Sequence, residues 1–483
     1  MASTMAWAHK IFDGQWRTGG GGTLDVVAPA TAEVIATVGA ADVGDLDRAV
    51  AKAVSAQREW AAKPYTERAS VMTAAAALLA ADPERLSRWL VPESGSSQGK
   101  AGGEVQLVAA ELAEAANLAS QPYGQVLRSA KSRFSVGRYV PVGVVGVISP
   151  FNFPALLSMR SVAPALAVGN AVVLKPDPRT PISGGLALAE LFAEAGLPEG
   201  LLHVLPSGAD VRAALVAHPD VPCISFTGST SAGRRIGEAA APLLKKVHLE
   251  LGGNNAFLVL PDADISAAAS AGAWGSFLHQ GQICMASGRH LIPEHLAEEY
   301  IGKLAEIATR ITVGDPSDPS NALGPIIDEN QLKRVDGIVQ ATLTAGADLA
   351  AGGTYEDLYY RPTVLGNVPK DSPAFTEEIF GPVAPVTTYR TVDEAIDIVN
   401  SSEFGLSVSI LTANPFKAFE LADRIRSGAV HINDQTVDDE AVAPFGGVKS
   451  SGSGGHFGST VNLDTFCDLQ WVTMQSDIEK YPF

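Results

Sequence analysis

The amino-acid sequence predicts an α/β fold organised around a doubly wound parallel sheet. The main observation is alternation: between residues 142 and 249, five short apolar runs are separated by four helical patterns. Parallel strands joined by crossover helices produce that order. Size agrees, because 483 residues, 46% of them hydrophobic, exceed what one core ordinarily holds and point to two or three structural units. The 47 glycines suit many tight strand-to-helix turns.

Taken in order, residues 19–22 are consecutive glycines and mark a turn between short strand-like pieces. Residues 41–61 read as a helix, with Leu46, Val50, Ala53 and Val54 at helical spacing and Asp42 as its cap. Residues 66–90 read as one or two helices, broken near Pro83. Residues 133–140 alternate and read as a strand. The parallel series follows, with strands 142–148, 171–174, 201–205, 223–226 and 247–249, and helices 155–168, 182–195, 211–217 and 231–241. A second α/β unit runs from about 252 to 443, with helices 263–278 and 295–311. The tail, 465–474, is strand-like. Like 133–140, it is suited to join another sheet, a partner subunit's included.

A net charge of −18 argues against nucleic acid or an anionic membrane surface as a partner. Three cysteines, Cys223, Cys284 and Cys467, provide no disulfide framework and point to a reducing, cytoplasmic setting. Residues 1–15 lack the basic start and apolar core of a signal peptide. No run approaches the roughly 18 apolar residues of a membrane span.

Four segments carry chemistry. In Gln280-Gly281-Gln282-Ile283-Cys284-Met285 a cysteine lies between polar, flexible residues just past a predicted helix. A cysteine is ordinarily a small buried hydrophobe, and this setting favours a reactive one, given a depressed pKa or a nearby base. In Leu249-Glu250-Leu251-Gly252-Gly253-Asn254 a glutamate ends a predicted parallel strand, where carboxylates face the ligand crevice. Its apolar neighbours favour a raised pKa and general-base work. Ser149-Pro150-Phe151-Asn152-Phe153-Pro154 occupies a second strand end, and Asn152 offers an amide donor for an oxyanion. Phe226-Thr227-Gly228-Ser229-Thr230-Ser231-Ala232-Gly233 joins strand to helix, and its bare backbone N–H groups suit an anion. Lys175, at a third strand end, is placed to reach a ribose or phosphate.

With Lys175-Pro176, Glu377-Glu378-Ile379-Phe380-Gly381-Pro382 and Pro444-Phe445-Gly446-Gly447-Val448-Lys449, these segments resemble, in order and spacing, the aldehyde dehydrogenase superfamily over nearly the whole chain. The resemblance implies a fold with a Rossmann-like NAD(P)-binding domain (1–121 and 141–251), an α/β catalytic domain (252–445) and oligomerisation strands (122–140 and 460–483), assembled as a homodimer or homotetramer. It implies that Cys284 attacks an aldehyde, that Asn152 and the Cys284 backbone N–H hold the oxyanion, and that Glu250 activates water to hydrolyse the thioester. It implies NAD as cofactor, with NADP possible in principle, and no metal. Ser149, Pro150, Phe151, Lys175, Gly228, Ser229, Gly233, Leu251, Glu378 and Phe380 are the implied cofactor contacts.

The chain departs from the family in three places. Many members carry a ribose-binding glutamate where this chain has Pro178, followed by Arg179. Losing that acid removes a repulsion against a 2′-phosphate, and Arg179 adds an expected attraction. Arg160-Ser161 stands in place of a Trp-Lys pair, and His456 in place of a carboxylate. Those family residues help relay protons from the base, so any relay here differs.

Within the family the likeness is to benzaldehyde, vanillin and salicylaldehyde dehydrogenases. Phe153, Ile283, Met285, Val437 and Phe445 are the expected apolar tunnel for an aromatic aldehyde, with Arg160 beside it. Two rivals stand. A semialdehyde dehydrogenase would use Arg160 to pair a substrate carboxylate, and a catalytically silent homologue would only bind nucleotide.

Overall fold

A computed structural model describes residues 5–483. The stretch read for a signal peptide, 1–15, therefore falls partly outside the described residues. Two seven-stranded sheets dominate the molecule. In the first, the order is Lys246–Glu250, Cys223–Thr227, Val144–Ile148, Ala171–Lys175 and Leu202–Val204, all parallel, then the short antiparallel strands Ile11–Phe12 and Trp16–Arg17. The chain winds from Val144–Ile148 towards one edge and from Cys223–Thr227 towards the other. Strand direction of travel thus reverses between these two neighbours, and a crevice opens at their carboxyl ends.

The second sheet has the order Asp348–Ala351, Thr363–Gly366, Val383–Tyr389, Ser287–Pro293, Asn255–Val259, Ser407–Leu411 and Ala429–Ile432. Only its first strand is antiparallel. A third sheet pairs the tail strand Cys467–Met474 with Phe134–Pro141, and that strand with Gly124–Val126. The two strands read as suited to join another sheet therefore meet within one chain. Val126 and Met474 on one face of this sheet and Leu469 and Trp471 on the other are exposed.

Local chemistry explains most boundaries. The expected helix 41–61 spans Val43–Ala62, and Asp42 caps it by a reciprocal pair of bonds with Asp45. Residues 66–90 form two helices, Tyr65–Ala81 and Glu84–Ser94, parted at Pro83. The expected helix 182–195 begins instead as a wide π-turn, Ile182–Leu186. Packing causes this: a Cβ on Gly185 would lie 2.6 Å from Val204. Glu93 accepts from the Ile182 and Ser183 N–H groups freed at the turn.

A helix that hydrophobic pattern reading left unassigned, Gln98–Leu118, proves central. Its inward face carries Ala101, Val105, Val108 and Leu112 but also Lys100, Glu104 and Glu111, so three charges interrupt the apolar stripe. Glu104 accepts from the Ala155 and Leu156 N–H groups at 2.9 and 3.1 Å. It thereby caps the buried helix Pro154–Ala167, which has no side-chain cap of its own. Lys100 pairs with Glu104 at 2.5 Å and donates to the Asn152 carbonyl at 2.6 Å. Glu104→Ala would leave the Lys100 ammonium and two helix N–H groups unpaired. It should cost about 3–5 kcal/mol in denaturant unfolding. A loss below about 1 kcal/mol would show that the ion pair is not what holds this helix.

Candidate active site

A cavity of about 680 Å³ lies where the first sheet's carboxyl ends meet loops of the second. Ser149, Pro150, Phe151, Asn152, Lys175, Gly228, Ser229, Glu250 and Leu251 line it from one side, and Cys284, Glu378 and Phe380 from the other. Phe151 and Phe380 meet edge to face, 6.0 Å between ring centres. Ser229 caps the helix Thr230–Ala240, so free N–H groups at the helix start open towards the cavity. Lys175 is buried at its strand end and its ammonium is pushed down to about 8, chiefly by that burial.

The loop carrying Cys284 is held in a strained shape. The helix Ile265–Phe277 ends, and His279, Gln280 and Gly281 all adopt left-handed backbone, with φ of 49°, 55° and 64°. Only the glycine adopts this readily, and each of the other two costs on the order of 1–3 kcal/mol. A Cβ on Gly281 would lie 2.0 Å from the Gly381 carbonyl, so the position admits only glycine. Surrounding bonds hold the shape. Gln280 donates to the Gly95 carbonyl at 2.9 Å, and Gln282 accepts from the Ile327 N–H at 3.1 Å. Asn255 donates to the carbonyls of Cys284 and Ala286, both at 2.8 Å. Asn152 donates one amide hydrogen to the Gln282 carbonyl at 2.9 Å, which ties the two strand-end loops together. Gln280 and Gln282 were legible only as polar residues beside the cysteine, and Asn255, 29 residues away in the chain, carried no signal.

Electrostatics in this pocket follow from dryness. Burial, then Glu378 and Glu250, push the Cys284 thiol up to about 12. Cys223 and Cys467 are also pushed up to about 12 by burial, but they lie in the core, whereas Cys284 is part-exposed. Cys284 is therefore a neutral thiol at rest and needs a base, not a depressed pKa. Glu250 is a carboxylate that lines the same cavity. It ends its strand in register with Thr227, is buried, and neither carboxylate oxygen has a hydrogen-bond partner among the described residues. Burial raises it, while His248 and Arg160 oppose that shift. Glu378 is raised to about 7 by burial, offset partly by the Gly253 N–H it accepts from at 3.0 Å. Such a pocket can add a thiol to a carbonyl and then deliver water to a thioester.

Apolar residues close the other side. Ile283, Met285, Leu406, Phe153, Val437 and Phe445 cluster around Cys284, which brings all five expected tunnel residues together. Three expectations are corrected. Arg160 is not a free cation for a substrate carboxylate: it is buried, pairs with Glu111 at 3.2 Å and with Asp439, and lies over the Phe445 ring. Gly233 does not line the cavity, because a Cβ there would meet Leu251 at 2.4 Å; it is glycine so that its helix can pack against the strand end. Arg179 offers little free charge to a 2′-phosphate. It is held by both Asp177 oxygens at 2.9 Å and by Asp328 at 2.7 Å, and lies over Phe151.

This combination of a doubly wound sheet, an anion-ready helix start and a thiol facing an unpartnered carboxylate defines a nucleotide-linked enzyme of covalent thiol chemistry. The pattern of the aldehyde dehydrogenase family matches residues 16–472, and the chain belongs to that family. It is 54% identical to a vanillin dehydrogenase of Amycolatopsis sp. over 99% of this chain and 98% of that protein. It is 47% identical to a benzaldehyde dehydrogenase [NAD(+)] of Pseudomonas putida, again over 99% and 98%. The solved structure of an NAD-dependent aldehyde dehydrogenase from Sinorhizobium meliloti superposes with a TM-score of 0.95 at 34% identity, covering 99% of this chain and 96% of that one. Among the described residues no helix is long and apolar enough to cross a membrane, and no His, Cys, Asp or Glu cluster is arranged to hold a metal.

Arg160 favours the anionic forms of both Glu250 and Cys284. Replacing it by Met raises the pKa of each, so the ascending limb of kcat/KM against pH should move to higher pH, while Arg160→Lys keeps the limb in place. An unmoved limb in folded Arg160→Met would show that the charge is not felt at the site.

Proposed function

We propose that the protein oxidises aromatic aldehydes of benzaldehyde or vanillin size to carboxylic acids, with NAD as cofactor and a thioester on Cys284 as intermediate. The observation that carries this reading is Cys284 itself. It stands part-exposed on the cavity wall, with the unpartnered Glu250 to one side and an apolar cluster to the other. The names of the vanillin and benzaldehyde relatives support the substrate class.

The cavity fits a nicotinamide dinucleotide. It has the volume of a small-molecule site, and Gly252 brings bare backbone against Glu378, where a Cβ would lie 2.2 Å from the carboxylate. Gly228 and Ser229 would hold the phosphates, Lys175 and Glu378 the ribose hydroxyls, and Phe380 the nicotinamide side. When bound, the dinucleotide supplies the two-electron acceptor for the oxidation.

The chain's own residues do the rest. Glu250 takes the thiol proton as the Cys284 sulfur adds to the aldehyde carbon. The second amide hydrogen of Asn152 and the Cys284 backbone N–H stabilise the oxyanion. Glu250 must release the thiol proton to solvent before hydrolysis; it then takes a proton from water, the water oxygen adds to the thioester carbonyl, and the carbon–sulfur bond breaks to release the acid. A general base of this kind contributes roughly 10²–10⁴-fold. A carboxylate-bearing aldehyde would meet Asp439 and Glu111 around an Arg160 they already neutralise, so the semialdehyde reading is the weaker one.

The same reading takes 1–121 with 141–251 as the cofactor unit and 252–445 as the catalytic unit. The exposed apolar residues of the third sheet are read as a contact between copies in a homo-oligomer. Three free thiols suit a cytoplasmic setting.

Reduced-cofactor absorbance with an aldehyde panel tests the substrate. Benzaldehyde and vanillin should exceed succinic semialdehyde in kcat/KM at least tenfold, and Cys284→Ala should abolish turnover on all. A preference for the semialdehyde would reject the aromatic assignment. NADP should be tolerated, because Pro178 sets no acid against a 2′-phosphate. Pro178→Glu should then penalise NADP more than NAD, and equal penalties would place the reading of the 2′ position elsewhere.

A further inference from the structure

His248 and Glu250 stand two residues apart on one strand, so their side chains share a face. His248 Nε2 lies 3.5 Å from Glu250 Oε1 and both residues are buried. Neither imidazole nitrogen and neither carboxylate oxygen has a hydrogen-bond partner among the described residues. A core imidazole placed for packing alone ordinarily satisfies at least its N–H, since an unpartnered buried donor costs about 1–3 kcal/mol. A small torsional change in either side chain would bring this pair to hydrogen-bond length.

The surroundings are built for the ring. It meets Phe457 edge to face at 4.2 Å between ring centres, and a Cβ on Gly455 would lie 2.4 Å from His248 Cδ2. The segment over it is stitched to the strand, because Ser453 accepts from the Leu249 N–H and donates to the Val247 carbonyl. Ser453 and Gly454 are themselves exposed, so only the thin loop 453–457 separates the imidazole from solvent. The residues that would otherwise carry a proton away are missing: Ser161 bonds to Ser225 at 3.0 Å, and the ring of His456 lies against Gly446.

We propose that His248 positions Glu250 and carries away the proton that Glu250 takes from water during thioester hydrolysis, releasing it to solvent beneath the loop 453–457. In that step water loses one proton to Glu250, its oxygen bonds to the acyl carbon, and the carbon–sulfur bond breaks to leave the Cys284 thiolate, which takes the proton of the released acid and returns to the resting thiol. The proton passes from Glu250 Oε1 to His248 Nε2 and then outward, restoring the base. Other titratable groups face the pair. Arg160 approaches from the helix Pro154–Ala167 with Glu111 and Asp439 beyond it, Cys284 lies across the cavity, and His456 follows Gly455. Arg160 is held by Glu111 and Asp439, which leaves His248 as the side chain at contact distance from the Glu250 carboxylate.

The proposal rests on the thioester reading above, and 4-nitrophenyl benzoate separates the two. The ester acylates Cys284 with release of nitrophenolate and no dinucleotide, so a burst reports acylation and the steady phase reports hydrolysis. In His248→Ala the burst should remain, the steady phase should fall at least tenfold, and the benzoyl-enzyme should accumulate by intact mass. Added imidazole should restore the steady phase in proportion to its concentration, and the pH profile of hydrolysis should then follow imidazole's own titration. A folded His248→Ala that hydrolyses at the wild-type rate overturns the proposal. So does a slowed variant that imidazole does not rescue, since that is a purely structural role. Ester turnover that persists in Cys284→Ala would instead remove the Cys284 reading itself.

Discussion

Burial of the ionisable groups around the part-exposed Cys284 is the condition on which the rest of the site depends. In a dry pocket neutral forms win, and the thiol at about 12 and Glu378 at about 7 both record that cost. The same dryness is useful. It strengthens every fixed dipole that faces the cavity. It also makes each proton transfer expensive unless a partner waits at contact distance. An unpartnered Glu250 across from the thiol, with Arg160 and His248 close enough to draw it back towards its anion, is the arrangement such a pocket requires.

Burying charge to position the machinery is the second theme. Lys100 and Glu104 lie inside the core, one holding the Asn152 carbonyl and the other the first N–H groups of the next helix. Arg160 lies among Glu111, Asp439 and the Phe445 ring. Buried pairs of this kind add little net stability against apolar replacements, but losing one partner is severe. Their value is geometric, since each fixes a loop that an apolar contact would let slide. The helix Gln98–Leu118 supplies a member to both clusters, so one element outside either large sheet orients the Asn152 loop and the apolar wall at Phe445 together.

Strain concentrates at the same place. His279 and Gln280 are left-handed before the cysteine, and Phe380 is left-handed across the cavity, with φ of 54°. Non-glycine residues stay there only when neighbours over-determine them. The amide bonds of Asn152, Asn255, Gln280 and Gln282 provide that determination, and so the position of Cys284 is set by side chains from several separate segments.

The amino-acid sequence by itself determined the parallel series of the first sheet, because hydrophobic period and strand-end glycines are local properties. It determined the Asp42 cap for the same reason, and it placed Asn152, Lys175, Gly228 and Glu250 at strand ends, where a doubly wound topology opens a crevice. Only the tertiary structure decided what those residues meet. Arg160 looked like a free cation because Glu111 is 49 residues away and Asp439 further still. Gly233 sat in a phosphate-like motif, yet a leucine from the next strand claims its space. The helix Gln98–Leu118 escaped notice because its inward face carries charges, which read as solvent until their partners are known. His248 lies one residue from a strand-end leucine and drew no attention in the chain. Its meaning comes from the missing partner, and an absence of hydrogen bonds is visible only once every neighbour is in place.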